Sequence, residues 1–529
     1  MKLSKFDLDQ INSERIKAMT PEEKDSLLLK VVSDLREALD RLNQNSTNSS
    51  CPPSSELPWQ SSKEKDEQAS SEDDSELGAG GSNDAEVETG KVGEKDADSQ
   101  ECSTENKPEE KKRKPGRQEG AEGHSRKVDL PVTKEVVHRP EDCSVCDKNL
   151  DPEKFVSRTA KYVLDIVMGP GGFLGIQVVH EKHVFGEIAC ECEHVNQTEP
   201  GRCAPDDGWK VELTEWHLVG PTLMALIVCL SQRMRISRRS IQEFLSDWLG
   251  ISLSISTINQ CIHEAGRAVA PLEKQMIKEI QEAYQAYGDE TSWKENGILL
   301  WLWVITTQTV CLYLVGSRGK EILRKVLGND LTEFTGWLMS DGYTVYREYC
   351  KRLRCWAHLL RKAKGLAESH DKNEAQLFGT KVVLLLKELM DAVYEARRGE
   401  AENLYILFET RLEEFKELCE HYRDAEHKKT RQLARELLND WDTIWVVLKY
   451  PWLPLTNNEA ERALRHWVIA RRISYGTRTA EGTRAFSLLA SVIETCRKRK
   501  VSPWPYLSSV IAERRKDNPA PALPLPAIS

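Results

Sequence analysis

The chain runs to 529 residues, too long for one ordinary domain and long enough for several units, one with a sizeable core. Its 74 Lys and Arg stand against 84 Asp and Glu, a formal net charge of −10, which excludes a uniformly basic protein. It does not exclude a basic end: residues 456–515 hold twelve Lys or Arg against five Asp or Glu, while much of the negative charge lies between residues 56 and 110.

The N-terminal stretch MKLSKFDLDQINSER lacks the apolar core of a signal peptide. The fourteen cysteines therefore read as reduced thiols or metal ligands of a cytoplasmic protein, not as a disulfide framework. Leu28, Leu35 and Leu42 recur every seven residues with Val32 and Leu39 between them, the alternation of a short coiled coil that can pair two subunits. An amphipathic helix packed on its own protein fits the pattern equally well. Residues 46–125 are polar and charged with almost nothing to bury, and read as disordered. Within them the cluster KKRKPGR (111–117) offers Lys112, Arg113 and Arg117 to phosphates, or is a solvated charge run.

From residue 131 the composition becomes globular. Cys143-x-x-Cys146 and Cys190-x-Cys192, with strands expected between them from Val156 to Val184, predict a small module stapled by one structural zinc ion. The second pair is one residue short of the usual spacing, so His194 and Cys203 stand as substitute ligands, and four unrelated core thiols are the plain alternative. Thr214 to Ser231 reads as an apolar helix. A helix ending near Gly250 and another from about Ser256 then outline a helix-turn-helix, with Arg235, Arg238 and Arg239 placed to touch phosphates.

After Ala286 the pattern turns to strands. One ends at Asp289, two more fall near 298–306 and 310–317, a helix spans about Lys320 to Leu327, and a strand from Gly336 ends at Asp341. The apolar run from Ile298 to Gly316 is membrane-length, but TTQT at 306–309 breaks it and its Trp, Val, Ile and Tyr content suits two buried strands. From Cys355 to Lys449 the chain becomes helical and highly charged, and a further helix begins near Asn458.

Asp289, Asp341 and Glu461 each have an ordinary explanation taken singly, as turn residues or, for Asn458-x-x-Glu461, as a capping box. Jointly, two strand-end aspartates and a helix-borne glutamate in this order match the carboxylates of an RNase H-like polynucleotidyl transferase, whose two Mg2+ ions need oxygen ligands drawn from distant segments. Glu461 is preferred to Glu459 because Leu464 and Val468 continue its face into an apolar stripe, whereas Arg462 and His466 continue that of Glu459. Around Glu461 stand Arg462, Arg465, Arg471, Arg472, Arg478 and Arg484 with Trp467 and Tyr475 between them, a pattern suited to phosphates and splayed bases.

These segments resemble transposases of the insertion-sequence-66 family over nearly the whole chain: the leucine repeat, PGRQEGAEGH (115–124), the cysteine module, DETSW, SDGYTVY, CWAH (355–358), and NNEAERALR followed by SYGTRTAEGTRAFSLLASVIET. The resemblance implies a DDE-type enzyme with Asp289, Asp341 and Glu461 as its catalytic and Mg2+-binding triad, supported by Cys355, His358 and Asn458. It further implies cleavage and strand transfer at terminal inverted repeats of double-stranded DNA. The expected partners are further copies of the chain and accessory proteins of the same element, in the cytoplasm at the nucleoid. A catalytically inactive or domesticated DNA-binding descendant is the alternative.

The expected fold is thus multidomain α+β: a helical leucine-repeat segment (1–45), a disordered acidic linker with its basic cluster (46–130), a zinc-finger-like module (131–205) and a helix-turn-helix-like DNA-binding region (206–275). An RNase H-like α/β catalytic core follows in two parts (276–354 and 451–515), divided by a helical insertion (355–450), with a tail at 516–529.

Overall fold

The structure is a computed structural model and describes residues 16–17, 19–42, 130–168, 175–205, 208–328, 333–370, 374–399 and 403–526. The basic cluster with Lys112, Arg113 and Arg117, and nearly all of the acidic linker, lie outside the described residues.

Helix α1 (Pro21–Leu42) opens on a reciprocal cap, in which the Glu23 N–H donates to Thr20 Oγ1 (3.2 Å) and the Thr20 N–H to Glu23 Oε2 (2.9 Å). Its apolar residues stay in solvent: Leu28, Leu29, Leu35 and Leu39 are all exposed.

The first sheet comprises β1 (Lys134–His138), β2 (Val156–Met168), β3 (Ile176–Ala189) and β4 (Val195–Gln197). The long antiparallel β2–β3 pair is its spine, β1 runs parallel to β3, and β4 pairs with the other end of β3.

Residues 214–220 do not join the apolar helix expected from Thr214. An isolated bridge ties Val219 to Leu164 of β2 and another ties Thr214 to Arg202, and helix α2 (Pro221–Val228) starts only at the proline, whose fixed φ suits a first helical position. Helices α3 (Arg238–Leu249) and α4 (Ile255–Val269) follow the expected outline. Ser237 and Ser254 cap them, and Gly250 between them takes a left-handed φ of 64°. The structure differs in their exposure: ten residues of α4, from Thr257 to Val269, are buried, so little of this second helix is free to enter a groove. Helix α5 (Leu272–Gln281) leads to the second sheet.

That sheet contains β5 (Gln285–Glu295), β6 (Ile298–Thr306), β7 (Cys311–Gly316), β8 (Trp337–Ser340) and β9 (Arg352–Arg354), with helix α6 (Lys320–Leu327) between β7 and β8. Spatial order is β7-β6-β5-β8-β9; the first three are antiparallel neighbours, and β8 and β9 run parallel to β5. The apolar run 298–316 is indeed two buried strands, and among the described residues no helix is long and apolar enough to cross a membrane. β5 does not stop at Asp289. Its pairing with β6 continues to Glu295↔Ile298, which leaves the aspartate in mid-strand.

Helices α7 (Trp356–Ala367), α8 (Ala375–Ala396), α9 (Leu404–Leu407), α10 (Glu409–His421), α11 (Lys428–Asn439) and α12 (Trp441–Lys449) occupy the expected helical stretch. They share one apolar core with Met339 and Leu353 of β8 and β9. Buried Asp440 ties them further to β9 through ion pairs with Arg352 (2.5 Å) and Arg354 (3.1 Å). Helices α13 (Asn458–Ser474), α14 (Ala480–Lys498) and α15 (Pro503–Arg515) complete the chain. Leu464, Trp467 and Phe486 of α13 and α14 pack on Trp293, Leu302 and Tyr313 of the sheet. The edge strand β7 is covered rather than left open to another chain: its Cys311 and Tyr313 N–H groups donate to Thr495 and Ser491 of α14.

Candidate active site

The sheet register makes the site. β5 and β8 pair only through Tyr287↔Met339, and beyond that point the two strands separate. Asp289 lies two residues past the fork on β5 and Asp341 one residue past the end of β8, so both stand in the opened gap. Gly288 sits at the fork without a side chain because a Cβ there would come within 3.0 Å of the buried Tyr346 ring. Its carbonyl, left without a β8 partner, accepts the buried side-chain amide of Asn457 (2.9 Å). That bond, with the Asn457 N–H donating to Cys355 Sγ (3.2 Å), anchors the start of α13 beside the gap.

One turn further along α13, Glu461 faces the same space. Asp289, Asp341 and Glu461 line one cavity of about 410 Å³, together with Glu290, His358, Arg361, Lys362, Arg462 and Arg465. The Asp289 carboxyl is pushed well above the usual carboxylate range, by burial first and then by the negative charges of Asp341, Glu290 and Glu461. Glu459 points elsewhere, to Lys498 (3.2 Å) and Arg462 (3.3 Å). The capping box that was the ordinary alternative for Asn458 and Glu461 is absent: the helix cap is Asn457, one residue before Asn458, and Asn458 is an exposed residue at the cavity wall.

Three lining residues, Glu290, Arg361 and Lys362, and the buried anchor Asn457 went unread in the sequence. Glu290 is held by Arg318 (2.8 Å) and by the Tyr346 hydroxyl (2.9 Å), while the Arg318 guanidinium lies between the Trp301 and Tyr343 rings at 3.9 and 4.2 Å from their centres. Burial, then Asp341, raises the Glu290 carboxyl as well. Arg361, paired with Glu461 at 3.2 Å, follows His358 by three residues in CWAHLLRK, a spacing that puts both on one helix face. Lys362 reaches the cavity and pairs with Glu436 (2.7 Å). Asn457 was visible only as the first Asn of the pair.

The second cluster is sulfur. Cys143, Cys146, Cys190 and Cys192 bring their Sγ atoms within 4.8 Å of one another, with 3.6 Å between Cys143 and Cys192 and 3.5 Å between Cys146 and Cys190, all four free thiols. The short second knuckle still closes, because Glu193 turns left-handed (φ 67°) just as Asp147 (φ 54°) does after the first. Backbone N–H groups of Val145 and Cys146 pull the Cys143 thiol down to about 5, while Cys146, despite the Lys148 N–H, is pushed up to about 12 by burial and the neighbouring thiols. Neither substitute ligand joins them. His194 meets the Ser144 hydroxyl (3.0 Å), and Cys203 lies against Arg514 (3.2 Å).

The basic residues divide. Arg462, Arg465, Arg472 and Arg478 are exposed. Arg471 is committed to the sheet, donating to Thr291 Oγ1 (3.0 Å) and Ser292 Oγ (2.8 Å), and Arg484 makes a two-pronged ion pair with Glu273. Trp467 is a core residue stacked edge-on against Tyr313 and Phe486, so of the two interleaved aromatics only Tyr475, 77% exposed, can meet a base.

A family model described as "Transposase IS66 family" matches residues 217–485, a span that contains all three carboxylates and the Cys355/His358 pair but not the four-cysteine cluster. The chain is also similar to three proteins of Sinorhizobium fredii (strain NBRC 101917 / NGR234), each described as uncharacterized. It is 24% identical to y4hP over 444 residues (75% of this chain, 74% of that protein) and 24% identical to y4qI over 305 residues (51% and 55%). Identity to y4jO is 27% over 153 residues (29% and 46%).

Proposed function

This chain belongs to the transposase IS66 family, and from that premise we propose that it is an RNase H-like, DDE-type enzyme that cuts double-stranded DNA at the terminal inverted repeats of its element and joins the freed ends to target DNA. The observation that carries the reading is the convergence of Asp289, Asp341 and Glu461 on one cavity from two strands and a helix. The strand order β7-β6-β5-β8-β9, with the carboxylates where β5 and β8 part, supports the same reading.

The family implies divalent metal, and the residues fit Mg2+: the three candidate ligands offer only oxygen, and Asp289 sits among like charges that a cation would relieve. Asp289, Asp341 and Glu461 would hold the two ions, which when bound activate the attacking oxygen and stabilise the leaving one. The protein's own part is orientation. The Asn457 bond to Gly288 sets the position of Glu461, the Tyr343 N–H donates to Asp341 Oδ1 (2.9 Å), and the Glu290 N–H to Asp289 Oδ1 (2.8 Å), so each carboxylate keeps a lone pair directed by a backbone bond or a helix start. Arg462 and Arg465 at the rim, with Arg472 further along α13 and Tyr475 and Arg478 just past its end, would take DNA phosphates and a base. In this reading the four cysteines hold one structural zinc, Cys355 and His358 support the site, and further copies of the chain and accessory proteins of the element assemble at the nucleoid.

The test is nicking of DNA that carries the element's ends, with and without Mg2+, by the intact chain and by Asp289→Asn. Metal-dependent cleavage lost in the variant supports the enzyme. Sequence-specific binding without cleavage in either protein would instead identify a domesticated DNA-binding descendant.

A further inference from the structure

We propose that Cys355, His358 and Glu461 form a second zinc site, separate from the four-cysteine cluster and set against the wall of the carboxylate cavity. The three residues come from two helix starts. Cys355 caps α7 and His358 follows one turn later, which brings thiol and imidazole to one face, while Glu461 approaches from the first turn of α13. One donor atom from each lies within 4.8 Å of the other two. A thiolate, an imidazole and a carboxylate with a fourth position open to the cavity is a donor set that zinc takes, whereas Mg2+ avoids sulfur.

One local feature lacks a partner that an ion would supply. The His358 Nδ1 is buried and has no hydrogen bond; Glu461 Oε1, 3.6 Å away, is beyond bonding distance. A buried polar atom left in that condition needs a partner. The Cys355 thiol is fully buried at the head of α7, where its sulfur accepts the Asn457 N–H. Arg361 now holds Glu461 Oε1 at 3.2 Å, and zinc would displace it.

A glutamate drawn toward sulfur and imidazole is withdrawn from Asp289 and Asp341. Zinc at this site should therefore oppose Mg2+ at the cavity. The site shares Glu461 with the proposed function but its occupancy does not depend on that function.

The test counts metal in the full chain, stripped with a chelator, reloaded with Zn2+ and separated from free ion. The expected ratio is two zinc ions per chain for the natural protein and one for Cys355→Ser and for His358→Ala. A second arm leaves the proposed ligands untouched: Cys143→Ser/Cys146→Ser loaded with Co2+ should still show thiolate-to-cobalt charge transfer, and should lose it when Cys355→Ser is added. A ratio unchanged by Cys355→Ser, or no thiolate band in the cobalt double variant, overturns the proposal. Two zinc ions at saturation in a chain that cleaves nothing in Mg2+ even when loaded with a single zinc ion would leave this site standing and sink the enzyme reading; cleavage by a chain whose zinc ratio Cys355→Ser does not change would do the reverse.

Discussion

Two glutamates two residues apart on one helix behave differently because the helix turns about 200° between them. Glu461 faces the cavity and Glu459 pairs with Lys498 and Arg462 at the surface. We therefore expect Glu461→Gln to abolish strand cleavage while DNA binding persists, and Glu459→Gln to keep most activity at a stability cost of no more than about 1 kcal/mol; a cleavage assay giving the reverse order would move the third ligand to Glu459. Asp289 yields a stability prediction. Burial, then its acidic neighbours, raises its folded-state carboxyl well above the unfolded value of about 4. The metal-free folded state thus keeps a proton that the unfolded chain has already lost. Stability falls as pH climbs from about 4 toward the raised value. Asp289→Asn removes this penalty and should raise the metal-free melting midpoint at neutral pH by about 2 °C or more. A lower midpoint in a thermal scan would argue against crowded carboxylates.

Among the elements, α1 and the cysteine module make opposite demands. α1 leaves Leu28, Leu35 and Leu39 in solvent, with Val32 half-buried to exposed at 37%, a stripe that one chain does not cover by itself among the described residues. If the heptad pairs two subunits, Leu28→Lys with Leu35→Lys should shift the full chain to a smaller species in sedimentation velocity, and a natural protein that already sediments as a monomer would remove that role. The apolar cluster around the four thiols is small, Cys143, Leu150 and Ile188 with Cys146, Phe155 and Cys190 packed against it, so a zinc ion held there would carry much of the local stability. Stripping zinc should open it, seen as new protease cuts near residues 143–150 and 190–194 with the helical signal of the remainder intact. An unchanged digestion pattern would return the four thiols to ordinary packing.

At the scale of the whole molecule, the helical insertion is fastened to the sheet by charge as well as by oil. Asp440 is fully buried and meets Arg352, Arg354 and Arg347, while Arg354 and Lys362 share Glu436. Removing one member leaves buried guanidinium groups without a counter-charge, so Asp440→Ala should cost about 3–5 kcal/mol, measured as a lowered denaturant midpoint. Because β9 leads directly into Cys355 and His358, the same variant should loosen the cavity wall, which a purely peripheral insertion would not do.

Much of this protein was legible along the chain because the relevant signals are local. The alternation of strand residues, the helical spacing of the insertion, the knuckle cysteines and the acidic residues at DETSW, SDGY and NNEAER each depend on neighbours within a few positions. What could not be read is what depends on partners far away. Arg471, Arg484 and Trp467 are claimed by β5, Glu273 and the sheet core, partners that no local pattern announces. The end of β5 was decided by its pairing with β6, which carries the strand past Asp289. The burial of α4, the bond from Asn457 to the unpaired carbonyl of Gly288, and the meeting of Cys355 and His358 with Glu461 across about a hundred residues likewise arise only in three dimensions. The physical reason is the same in each case: sequence determines which groups need a partner, but burial and hydrogen-bond satisfaction are properties of the packed whole.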